Sequence, residues 1–112
     1  MVKQGDIIWL DFDPQTGHEQ KGRRPALVVS NDSFGKLTGY KIIIVCPITN
    51  TQKVFPTHVK LKDTNKVTGV VMCEQAKVLD IQSRDYKKFD ELSDVVLDEV
   101  LDIIYEIFAK ED

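Results

Sequence analysis

The chain has 112 residues, of which 42% are hydrophobic and 29% charged, with a formal net charge of −3. This is enough for one compact domain, residues 1–112, with a real core and no need of metal or disulfide support, and it leaves no room for a low-complexity segment. No apolar run approaches the ~20 residues of a membrane span, and the N-terminal residues enter a strand pattern without a signal-peptide profile, so a cytoplasmic protein is expected.

Residues 6–13 (DIIWLDFD) form the first predicted strand, with Ile8, Leu10 and Phe12 on the core face, Asp11 and Asp13 outward, and Ile7 and Trp9 adding apolar mass to the second face. Pro14 and Gly17 break it, and residues 14–24 (PQTGHEQKGRR) read as an eleven-residue polar loop. A loop of that length is long for so small a domain, and such loops tend to carry function. Pro25 cannot donate to a ladder and marks the entry to a second strand, ALVVSN. Residues 32–39 read as a loop with two glycines. Residues 40–47 (YKIIIVCP) are a nearly unbroken apolar run, as in a strand buried on both faces.

A polar link over residues 48–53 leads to an alternating strand, HVKLK, and then to the strand-like pieces GVVMCEQ and AKVLDI. Cys46 and Cys73 both sit in apolar runs and read as buried thiols, and nothing beside them has Cys/His ligand spacing, so neither a disulfide, a metal nor a cofactor is expected. A short helical turn over residues 83–86 and a linking strand over 87–92 follow. The tail then changes period. Ser93 is a good N-cap, and Val96, Val100, Ile103, Ile104 and Ile107 recur at helical spacing beneath an acidic outer face of Asp98, Asp102 and Glu106. From Asp90 onward there are nine acidic residues and one lysine, net −8, so the preceding residues carry net +5. An acidic whole chain therefore does not exclude a polyanionic partner, since phosphate responds to the local field.

Chemistry-bearing side chains concentrate in the loop: His18, Glu19, Gln20, Arg23 and Arg24. Guanidinium groups match phosphate geometry, and Arg24, directly before Pro25, is rooted where a rigid strand begins. Taken on charge alone, the loop is equally a solvated surface. Thr49 follows the most buried run, and Gln75 closes GVVMCEQ; by themselves both are ordinary turn hydrogen-bonding residues. His58 lies in an alternating strand and reads as a surface or cross-strand residue, whereas His18 stays open as an RNA contact or proton carrier. The aromatics read mostly as core, Phe55 included, although an exposed Phe55 would stack on a base.

Together these pieces resemble a known family. GDIIWLDFDPQTGHEQKGRRPALVVSND, with its D-P turn, G-x-E-Q loop and G-x-R-P step, followed by IIIVCPIT, F-P-T-H-V and GVVMCEQAKVLD, is similar to the MazF/PemK (Kid) toxins over nearly the whole chain. The resemblance implies a mainly β (α+β) fold, an SH3-like small barrel of about six to seven strands with a C-terminal helix, and a homodimer. It implies the toxin of a toxin–antitoxin module, held by a small antitoxin protein, that cuts single-stranded mRNA at specific sequences without metal and leaves a cyclic phosphate and a 5′-hydroxyl. By position, Arg24 and Thr49 would be the catalytic pair, with Glu19, Gln20 and Gln75 contacting RNA or shaping the site. The group that takes the 2′-hydroxyl proton stays open among Glu19, Arg24 and His18. His18 stands where many relatives have serine, and Arg23 adds a cation beside Arg24; both bear on how the loop meets RNA. Two other readings share the barrel: a gyrase-poisoning toxin like CcdB, and a non-catalytic SH3-like binding domain. Neither has a use for an arginine and a threonine that grip phosphate.

Overall fold

The computed structural model describes residues 1–11, 23–50 and 54–112. Phe12, His18, Glu19 and Gln20 lie outside the described residues. Seven strands form one antiparallel sheet: β1 (Asp6–Leu10), β2 (Arg24–Val28), β3 (Ile42–Thr49), β4 (His58–Lys60), β5 (Val70–Met72), β6 (Lys77–Asp80) and β7 (Tyr86–Glu91). The order is β4-β5-β3-β2-β1-β7, with β6 also paired to β3. A short helix, α1 (Asp32–Leu37), links β2 to β3, and α2 (Asp94–Phe108) follows β7. No helix among the described residues is long and apolar enough to cross a membrane.

The sheet is covered on both faces, which is why β1 reads as an unbroken apolar run. Adjacent residues on a strand point to opposite faces, and Ile7 and Ile8, both wholly buried, belong to different clusters. Ile7 joins Leu27, Cys46, Ile48 and Val71 beneath Val96, Leu97 and Val100 of α2. Ile8 joins Leu10, Ala26, Val28, Val45 and Leu79 on the other face. Each fully buried aliphatic side chain contributes roughly 1.5–3 kcal/mol. The expected helix is present, capped by Ser93, whose side chain accepts from Val96 N–H. Its apolar stripe fades, however, and Tyr105, Ile107 and Phe108 of the last turns are exposed.

Three expectations are corrected. Residues 32–37 are helical because Asn31 caps them, accepting the Phe34 N–H at 2.9 Å, with Asp32 in the first turn; the two glycines had suggested a loop. Strand β3 runs through Pro47 to Thr49 instead of stopping at the proline. The aromatics are not mostly core: Phe55, Tyr86, Tyr105 and Phe108 are exposed, while Trp9 stacks on Phe89 at 5.0 Å. Phe89 is itself the extra residue of a bulge, since β1 pairs Ile7 with Asp90 but Ile8 with Lys88.

Asp90 ties the sheet to the turn before β5. Its carboxylate accepts backbone N–H groups of Lys66 at 2.7 Å, Asn65 at 3.1 Å, Val67 at 3.2 Å and Glu91 at 2.9 Å. Burial alone would push this carboxyl up, but the amides outweigh it and hold it below its ordinary value. Asp90→Ala leaves these amides without their acceptor and is expected to cost about 3 kcal/mol, read as a shifted urea midpoint. The depressed pKa sets the sign of the pH dependence: the contribution is complete above the ordinary carboxylate range, about pH 4, and is lost as pH falls through the lowered value. Wild-type stability should therefore fall more steeply below about pH 4 than that of Asp90→Asn, and parallel curves would refute the assignment.

Candidate active site

Prolines shape the end of the β2–β3 pair. Val29 N–H donates to Ile44 O at 2.9 Å, and in an antiparallel pair such bonded rungs alternate with unbonded ones. Ala26 therefore faces Pro47 in an unbonded rung, where β2 asks nothing of the proline's missing N–H. The next rung would need an N–H from Pro25, which has none, and the ladder stops at Ala26. Continued two residues past its end, the register would set Arg24 against Thr49, and by strand alternation both side chains belong to the face shared by Ala26 and Pro47, opposite α2.

That row extends across the sheet. Leu10 pairs with Arg24 on one side and with Tyr86 on the other, so Arg24, Leu10 and Tyr86 stand side by side on three strands, with Thr49 at the same end of β3. Arg24 is exposed and Thr49 half-buried. Thr49 pairs with Val70 of β5. The residue before Val70 is Gly69, at φ +120°, and a Cβ placed there would lie 2.1 Å from the Thr49 carbonyl oxygen. The backbone under Thr49 is thus seated against glycine in a conformation that other residues rarely adopt.

Gln75 reaches the same neighbourhood through a break in register. Strand β3 pairs Ile48 with Val71 of β5 and Val45 with Lys77 of β6. Two residues of β3 thus face five of the opposing chain, and the surplus of three is taken up by a 3₁₀ turn, Cys73–Gln75. Cys73 points inward while Glu74 and Gln75 are exposed. Both cysteines are free and buried, as expected; burial pushes the Cys46 thiol up to about 12 and the Cys73 thiol up to about 11.

The turn is anchored by a contact that hydropathy and spacing do not reveal. Glu74 accepts from Thr57 Oγ1 at 2.6 Å and pairs with His58 Nε2 at 3.0 Å. Burial raises the Glu74 carboxyl, and the hydrogen bonds from Thr57 and His58 overcome that and hold it below its usual value. His58 is opposite Met72 on β5, the cross-strand place expected for it, and its ring lies 5.0 Å from that of Phe55. Phe55, Thr57, His58 and Glu74 are therefore linked along the edge of β4 and β5, with Gln75 next to Glu74 in the turn. A T-H pair two strands from an E-Q pair was the only sequence signal for this edge.

Arg23 is placed otherwise than a purely RNA-facing cation. Its guanidinium meets Asp85 at 3.2 Å. Of the expected residues, Arg24 and Thr49 lie at the same end of β2 and β3, Gln75 lies in the turn between β5 and β6 alongside β3, and Arg23 next to Arg24 has its charge paired with Asp85. Among the described residues no three His, Cys, Asp or Glu side chains are grouped as a metal ligand set.

The chain as a whole has counterparts among known proteins. Residues 3–108 match the family described as PemK-like, MazF-like toxin of type II toxin–antitoxin system, and the chain belongs to that family. It is 32% identical over 104 residues to an endoribonuclease PemK of Escherichia coli, covering 89% of this chain and 77% of the relative. With the endoribonuclease toxin MazF of Escherichia coli K12 it shares 37% identity over 84 residues, 75% of this chain and 73% of the relative. A solved MazE–MazF structure from Deinococcus radiodurans superposes with a TM-score of 0.80 at 31% identity, covering 98% of this chain and 97% of the matched one.

Proposed function

We propose that this chain is a sequence-specific endoribonuclease that cleaves single-stranded mRNA without metal, as the toxin of a toxin–antitoxin pair. The observation that supports the reading is that Arg24 begins β2 and Thr49 ends the antiparallel β3, so both lie at the same unlaced end of that pair, in a chain of this family. The nucleophile is the substrate's own 2′-oxygen. It attacks the adjacent phosphorus, the 5′-oxygen leaves, and the products are a 2′,3′-cyclic phosphate and a 5′-hydroxyl. The protein supplies alignment, charge stabilisation and proton transfer. Arg24 stabilises the negative charge that builds on the non-bridging oxygens, and the Thr49 hydroxyl donates to one of them. Gln75, with loop residues His18, Glu19 and Gln20, contacts flanking nucleotides, and Arg23, held by Asp85, lies at the approach to the RNA.

A MazE-like antitoxin and a second copy of the chain are the expected partners; the support is the match to the MazF chain of a MazE–MazF complex over nearly its whole length. The direct test incubates the purified protein with a long defined RNA in EDTA. Cleavage at a restricted set of sites, with cyclic phosphate and 5′-hydroxyl ends, is expected. A strict requirement for added divalent metal would overturn the mechanism.

A further inference from the structure

The rung beyond the Arg24 row is closed by residues that no hydrophobic or motif pattern singles out. Continuing the registers of β1 with β2 and with β7 by one residue sets Asp11 between Arg23 and Asp85. Asp11 ends the first described segment and Arg23 begins the second. Both are gripped by consecutive residues of the corner that enters β7: the Arg84 guanidinium donates to the Asp11 carbonyl, and Asp85 takes the Arg23 guanidinium at 3.2 Å. Arg23 therefore reaches across the end of β1 to the third strand.

The geometry points to Arg84 and Asp85 as positioning residues for RNA cleavage, a clamp that fixes the end of the β1–β2 pair and so aims Arg24. This inference rests on the reading of Arg24 as the group that acts on the phosphate. Arg24 needs such help because its backbone is poorly held on the other side: the β2–β3 ladder stops at Ala26, two residues short of it. Among the described residues its strand pairing is with Leu10, and the clamp closes the rung next to that pair. The Arg84 side chain is part-buried and its bond is to backbone, so it fixes the chain itself. The Arg23–Asp85 pair is exposed on both sides, and an exposed ion pair contributes little to stability. Its effect is on where Arg23 points and, through the intervening peptide, on Arg24. Holding Arg23 to Asp85 also keeps that cation from swinging across the Arg24–Thr49 row.

The test uses Arg84→Met and Asp85→Asn in the full chain, with cleavage of a short RNA measured under single-turnover conditions. Displacing a catalytic group by about 1 Å costs on the order of 100-fold in rate. Arg84→Met is therefore expected to lower the maximal rate by roughly 10- to 100-fold, and Asp85→Asn by roughly 3- to 10-fold. Half-saturating RNA concentrations should stay within about twofold and melting temperatures should be nearly unchanged for Asp85→Asn. In a background of Arg24→Lys, whose residual activity no longer depends on fork alignment, each clamp variant should lose less than about threefold. Full rate in Asp85→Asn and Arg84→Met, or losses of the same size in both backgrounds, would overturn the inference. If Arg84→Met does not fold, the exposed Asp85→Asn decides alone by the same criterion. Unimpaired cleavage by Arg24→Ala would instead overturn the underlying reading of the site.

Discussion

Arg24→Ala is expected to reduce RNA cleavage by roughly two to three orders of magnitude, the cost of removing one preorganised donor aimed at developing charge. Arg24 is exposed, and an exposed strand-end side chain contributes within about 0.5 kcal/mol to stability. Activity and fold should therefore separate cleanly: circular dichroism and the melting temperature stay as in the wild type while the rate collapses. Arg24→Lys keeps the charge but loses the planar fork, and an intermediate rate is expected. Near-normal cleavage by Arg24→Ala would move the chemistry elsewhere in the molecule.

Gly69→Ala should do the reverse and couple the two. The added Cβ meets the Thr49 carbonyl oxygen at 2.1 Å, a backbone atom that cannot rotate aside, and the φ of +120° is itself unfavourable for alanine. Together these are expected to cost about 3 kcal/mol or more, equivalent to a fall of roughly 12 °C in melting temperature for a chain of this size. Cleavage should fall as well, since the part that must give is the peptide carrying Thr49. Gly39→Ala is the matched control: φ is +66° and nothing lies within 4 Å of the added carbon, so about 1 kcal/mol and no change in rate are expected. A Gly69→Ala protein with wild-type melting and turnover would show that Thr49 is seated by something else.

The fold is legible in the sequence where side-chain period is strong. The two-faced burial of β1 and β3, the run of short strands and the Ser93-capped helix all follow from local pattern. Local pattern misleads where one residue type serves two purposes. Pro47 looked like a strand terminator, yet β3 passes through it because β2 needs no N–H at that rung. The glycines at 35 and 39 suggested a loop, yet the Asn31 cap starts a helix before Gly35 is reached. Arg24 and Thr49 were named through family resemblance, because their placement at one end of the β2–β3 pair depends on a register that neither local sequence encodes. Arg84 and Asp85 are not legible in the sequence, and of the Thr57–His58–Glu74 contact only the cross-strand place of His58 is. They join residues 16 to 73 positions apart, and nothing in their own neighbourhoods marks them.

The three-residue surplus between β5 and β6 has a consequence for how such a protein diversifies. A one-residue slip within a strand turns every later side chain to the wrong face, so length changes in most of this sheet would be ruinous. At Cys73–Gln75 the excess already sits in a turn between two independently registered ladders. A residue gained or lost there alters the reach of that turn while Val70 and Lys77 keep their partners. Selection can therefore reshape this edge of the sheet without reopening the folding problem.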